Sequence, residues 1–152
     1  MKEIALEKYP DIAAKLGVTK LKGDEAQSIV ALSRLAIDAD RTVDGDELDL
    51  YDDLADIVCE MGGVDADEVV EAEDRKPRGD DDRVRRLVDG VARLSSQGVR
   101  ELAWATAWIL TIADLAIQPD EDAYLSALQD ALKLSDDRIA EITAMLSDDL
   151  AQ

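Results

Sequence analysis

An internal repeat constrains the fold of this chain more than any other feature of its sequence. Sliding the sequence along itself brings two loops into register. Asp40-Arg-Thr-Val43-Asp-Gly-Asp46-Glu47 lies opposite Asp114-Leu-Ala-Ile117-Gln-Pro-Asp120-Glu121, with agreement at the first, fourth, seventh and eighth places. Each loop follows an apolar stretch, about Asp24 to Ala39 in one copy and about Val99 to Ala113 in the other. Behind the loops, Tyr51, Leu54 and Val58 fall opposite Leu125, Leu128 and Leu132, a spacing of three and four that marks one face of a helix. Each copy then closes on a short capped helix, opened by Asp65 to Glu68 and by Ser135 to Arg138.

A chain organised this way is expected to be all-α. The reading is a single-domain helical bundle of about seven helices, built from two helix-loop-helix repeats with acidic loops. One domain covers 1–152, with repeat one at about 24–74, a connector and linking helix at about 75–98, and repeat two at about 99–147. Aromatic residues make up only 3% of the chain and Phe is absent, so the core must come from Leu, Ile, Val and Ala, which suit close helix packing. Between the copies, Glu71 to Asp82 contains Pro77 and Gly79 in a run of mixed charge and reads as a flexible surface connector, the best candidate for local disorder. The linking helix after it is expected to turn Val84, Leu87, Val88 and Leu94 to one apolar face. Its Arg83, Arg85, Arg86 and Arg93 form the main basic cluster, read as partners for surrounding acids in preference to an anion site. Trp104 and Trp108 stand one turn apart in the most apolar stretch, which reads as a central core helix.

The formal net charge of −19 argues against binding to nucleic acid or to anionic lipid, whose phosphates this surface repels. Leu102 to Ala113 is far shorter than the roughly 20 apolar residues needed to cross a bilayer, so no membrane insertion is expected. Charges at Glu3, Glu7, Lys8, Asp11 and Lys15 break up the N-terminal stretch, which therefore does not read as a signal peptide; the expectation is cytoplasmic. Cys59, the one cysteine, sits at an apolar helical position and reads as a buried reduced thiol.

Histidine is absent, which removes the usual neutral-pH general base and the commonest transition-metal ligand. No Gly-rich phosphate loop or nucleophile elbow is present, so the chain does not read as an enzyme. Carboxylate chemistry remains. Oxygen-rich loops suit calcium or magnesium, and the candidate ligands are Asp40, Asp44, Asp46 and Glu47 in the first loop with Asp114, Asp120 and Glu121 in the second. The first loop begins as an EF-hand would, but Tyr51 stands where the bidentate Glu belongs. Gln118 and Pro119 leave the second loop poorer in ligands. A competing account needs no ion: Asp44 and Glu47 have capping-box spacing, and Pro119 with Asp120 and Glu121 is what a helix start selects. Capping alone and capping with cation binding both stand at this point.

Across Asp24 to Leu146 the chain resembles the tellurite-resistance TerB-like family, on Ala39, Asp40, Val43 and Glu47 and again on Ala113, Asp114, Ile117 and Glu121. The same unit occurs in the N-terminal region of membrane-anchored DnaJ-like co-chaperones. The family's Gly after each motif Asp is Arg41 in one copy and Leu115 in the other. The resemblance implies a non-enzymatic stress-response accessory protein that binds divalent cations through acidic residues and associates with a protein partner at a membrane. On this reading an acidic surface docks the partner and a divalent cation occupies the first loop. The alternative is a purely structural, oligomer-forming scaffold with no ion site.

Overall fold

The computed structural model describes residues 2–39, 45–112 and 119–151. Among them the chain forms eight α-helices and no strand: α1 (Lys2–Lys15), α2 (Gly23–Asp38), α3 (Gly45–Gly62), α4 (Ala66–Asp74), α5 (Asp80–Ala92), α6 (Gln97–Ile112), α7 (Pro119–Leu132) and α8 (Asp136–Leu150). The expected helical class holds, and the count exceeds the expected seven. In the N-terminal segment, Ala5, Tyr9, Ile12, Ala13 and Leu16 recur at helical spacing and are buried, while Glu3, Glu7 and Asp11 point outward. The charges that interrupt the apolar run there are the outer face of an amphipathic helix.

Two helices occupy the centre. Ile29, Val30, Leu32, Leu35 and Ile37 of α2, and Leu102, Trp104, Ile109 and Leu110 of α6, are buried around most of each helix's circumference. α2 packs against α3, α4, α5, α6 and α7, so it forms the axis on which the other elements are assembled. Two hydroxyls in these buried helices are satisfied locally: Ser33 Oγ donates to the carbonyl of Ile29 and Thr106 Oγ to that of Leu102, both at 2.7 Å. The Trp104 indole donates to the Leu125 carbonyl at 3.1 Å, tying α6 to α7, whereas Trp108 is half-buried. Close approach depends on small residues. A Cβ on Gly62 would lie 2.5 Å from Ala26 Cβ, so α3 can meet α2 only without one.

Helix starts follow the sequence. Asp65 accepts from the backbone N–H groups of Asp67 and Glu68 at the head of α4, and Ser135 accepts from that of Arg138 at the head of α8. Pro119 is the first residue of α7, where its missing N–H costs nothing. Two expectations need correction. The stretch 71–82 is mostly helix, α4 running to Asp74 and α5 starting at Asp80; Arg78 bridges the turn by donating to the carbonyls of Glu73, Asp74 and Lys76. The last helix, α8, is also a full 15 residues and not short.

The face of α5 is the third difference. Val84 and Val88 are 64% and 60% exposed, whereas Leu87 and Leu94 pack inward as expected, together with Arg86 and Gly90. Leu32 explains the rotation: a Cβ at Gly90 would come within 2.9 Å of its Cδ2, so α5 presents its one glycine to α2. One turn earlier, that choice buries Arg86 at the C-terminal end of α2.

Candidate functional site

At the last residue of α2, the Asp38 carboxylate collects three guanidinium groups. Arg34 Nε lies 3.2 Å from Oδ1, Arg86 Nη1 3.2 Å from Oδ2, and Arg78 Nε 3.6 Å from Oδ2. Arg83 donates to the Asp38 backbone carbonyl at 3.0 Å. These cations stand where the helix dipole is negative, so backbone and side-chain charge favour them together. Arg34 also reaches Asp74 at 2.7 Å and lies over the Tyr51 ring, 5.5 Å from its centroid. Arg86 faces a second buried carboxylate, with Nη2 3.8 Å from Glu73 Oε1, and Lys76 pairs with the other oxygen of Glu73. Of the four arginines expected to pair with acids, Arg86 does so, with Asp38 and Glu73, whereas Arg83 bonds a backbone carbonyl and Arg85 and Arg93 form no ion pair with a described residue.

A second ionic clamp joins α6 to α8. Arg138 donates from Nε and Nη2 to the two oxygens of Glu101, at 2.7 and 2.8 Å, in a two-pronged pair to which Gln97 adds a hydrogen bond at 2.9 Å. The Arg138 hydrogen bonds hold the Glu101 carboxyl below the ordinary glutamate range. A depressed carboxyl stabilises the fold above the unfolded value of about 4.3, and that contribution disappears as pH falls through the folded value. Arg138→Gln is therefore expected to lose about 2 kcal/mol at neutral pH, and to flatten the acid limb of a stability-versus-pH series measured by urea unfolding. The figure is below that for a fully buried pair because Arg138 is 36% exposed.

The outer face of α3 is different in kind. Asp49, Asp52, Asp56 and Glu60 are exposed, with half-buried Asp53 among them, at spacings of three and four that place all five on one side of the helix. The Asp52 carboxyl is pushed above its ordinary range, first by partial burial and then by the charges of Asp74, Asp49, Asp53 and Asp56. The sequence reading passed over this stripe, although its helical spacing was visible. On the inner side, burial pushes the Cys59 thiol up to about 11, with Asp56 and Asp65 adding to the effect. That thiol is a core group and not a nucleophile.

Of the candidate metal ligands, Asp40, Asp44 and Asp114 lie outside the described residues, as do the side chains of Asp46, Asp120 and Glu121. Glu47 is described, and it is only 2% exposed in the first turn of α3. Among the described residues no three carboxylates or thiols are grouped to hold a metal ion. No described helix is long and apolar enough to cross a membrane. Comparison of the chain with protein-family models, curated proteins and solved structures finds no match.

Proposed function

We propose that this chain is a non-enzymatic accessory protein of the TerB-like, stress-response kind, which docks a basic partner surface through the acidic face of α3. The observation that carries the reading is the stripe of Asp49, Asp52, Asp53, Asp56 and Glu60 on one side of α3, where partial burial and then the neighbouring carboxylates raise the Asp52 carboxyl; a cationic surface would relieve that crowding. The partner is a protein of the cytoplasm or of the inner-membrane surface. A divalent cation at the first acidic loop, with Asp40, Asp44, Asp46 and Glu47 as its candidate ligands, would tune the same face. The second loop, with Asp114, Asp120 and Glu121, is a weaker candidate for calcium or magnesium.

Two variants with the same net charge test the docking face. Asp49→Asn, Asp52→Asn, Asp56→Asn and Glu60→Gln together should abolish salt-sensitive retention of the native partner. Glu3→Gln, Glu7→Gln, Asp11→Asn and Asp148→Asn together should leave it nearly unchanged. Equal loss in both would reduce the effect to net charge and remove the site. For the ion, Asp40→Asn with Asp44→Asn should erase any rise in melting temperature on adding millimolar calcium or magnesium. Glu47 is left intact in that test because its burial makes its replacement a structural change as well.

A second reading, a scaffold that self-associates, draws on the exposed pair Val84 and Val88. Light scattering across protein concentration separates the two, since only the scaffold gains mass.

A further inference from the structure

Beside the acidic stripe, an apolar groove of about 380 Å³ lies between α1 and α3. Its α3 wall is Ile57 and Met61, both half-buried, and its α1 wall is Pro10 and Ala14, both exposed. Val18, from the turn after α1, adds a further apolar group. The Leu21 N–H donates to the Met61 carbonyl at 3.2 Å, which fixes that turn against the end of α3. Among the described residues, Glu60 is the one charged group that lines the groove, and it is also the last acid of the stripe.

Helix geometry explains the shared residue. Successive residues turn by about 100° around a helix, so Ile57 stands about 60° from Glu60, and Met61 about 40° further round, toward α1. An acidic edge and an apolar edge therefore run side by side along α3. On the α3 side the flanking charge is of one sign, since Asp49, Asp52, Asp56 and Glu60 are all exposed. On α1 the charges beside Pro10 and Ala14 are mixed, Asp11 and Lys15, and Lys15 is paired with Asp149. Lys20, next to Thr19 of the lining, adds one cation against the four acids of α3. A segment that seats an apolar edge in the groove thus finds counter-charge for cations on its α3 flank. The stripe from Asp49 to Glu60 measures roughly 16 Å at about 1.5 Å of rise per residue, about three turns of a helix laid alongside it.

We infer that the partner segment is a basic amphipathic helix of about three turns, with apolar side chains seated on Ala14, Ile57 and Met61 and lysines or arginines over Asp52, Asp56 and Glu60. This inference rests on the docking role of α3 and adds the apolar groove as its anchor. Charge brings the segment in, and the apolar contact fixes its register.

The test uses the full chain and two synthetic lysine–leucine peptides of about twelve residues, the length of the stripe. One sets its leucines at intervals of three and four; the other has the same composition in an order that forms no apolar face. By calorimetry the patterned peptide should bind at least about tenfold more tightly than the scrambled one, and it should shift the backbone amide resonances of 10–19 as well as those of α3. Ala14→Gln with Thr19→Gln puts polar atoms into the groove from two exposed positions, leaves the net charge unchanged, and should erase the preference. No binding of the patterned peptide, equal binding of the two, or a preference that the double variant does not reduce overturns the inference. Should that variant fail to fold by circular dichroism, the amide shifts decide, and shifts confined to α3 overturn it. If the groove fails in this way while Asp49→Asn, Asp52→Asn, Asp56→Asn and Glu60→Gln together still abolish binding of both peptides, the α3 reading stands. If that charge variant binds both peptides as tightly as the parent chain, the α3 reading falls with it.

Discussion

Replacing Asp38 with alanine is expected to cost about 3–5 kcal/mol, enough to move the urea midpoint far below that of the parent chain. The carboxylate is 7% exposed and is met by Arg34, Arg78 and Arg86. Arg86 is itself 7% exposed, so removing its hydrogen-bonded partner leaves a largely buried guanidinium without its main counter-charge. Glu73, at 3.8 Å, is too long and already shared with Lys76 to replace it. Exposure sets the contrast. Lys15 and Asp149 also form a pair, at 2.6 Å, but Lys15 is half in water, and Lys15→Ala should cost no more than about 1 kcal/mol. If the two variants unfold at similar urea concentrations, the arginine cluster is solvated in solution and does not hold α2, α4 and α5 together.

Trp104→Ala carries the second large expected loss, again about 3–5 kcal/mol. The indole is 3% exposed at the crossing of α6 and α7, and its N–H is spent on the Leu125 carbonyl at 3.1 Å. Its removal leaves a cavity lined by two helices that cannot collapse toward each other, because α2 already fills the other side of α6. Trp104→Phe should recover most of the packing and lose only the hydrogen bond, about 1–2 kcal/mol. Urea unfolding followed by circular dichroism measures both. A near-neutral Trp104→Ala would mean that the centre of the molecule repacks freely.

The central helices were legible in the sequence because their apolar residues surround the helix: Ile29 to Ile37 and Leu102 to Ile112 have no polar face to turn outward. The caps at Asp65 and Ser135, and the start of α7 at Pro119, were legible because each depends on one residue type at one place. What was misread has a common physical cause. The sequence reading assigns no helix to residues 2–15, where charges are spread among apolar residues; there they form one face of α1. In α5, the apolar residues Val84 and Val88 suggested the buried side, yet tertiary fit outweighed pattern, since only Gly90 allows the approach to Leu32. Pro77 and Gly79 were read as a floppy connector, but Arg78 between them ties the turn to three carbonyls. The acidic stripe on α3 stands in the sequence as acids at helical spacing, Asp49, Asp52, Asp56 and Glu60.

Carbodiimide coupling, which joins a carboxylate directly to a lysine amine in contact with it, tests the partner-docking account most directly. Performed in native extract and read by mass spectrometry, it should place the partner's lysines on Asp49, Asp52, Asp56 or Glu60, with the yield falling steeply as salt is raised. Couplings spread evenly over the exposed acids of α1, α3 and α8, or partner couplings that avoid α3, would contradict it.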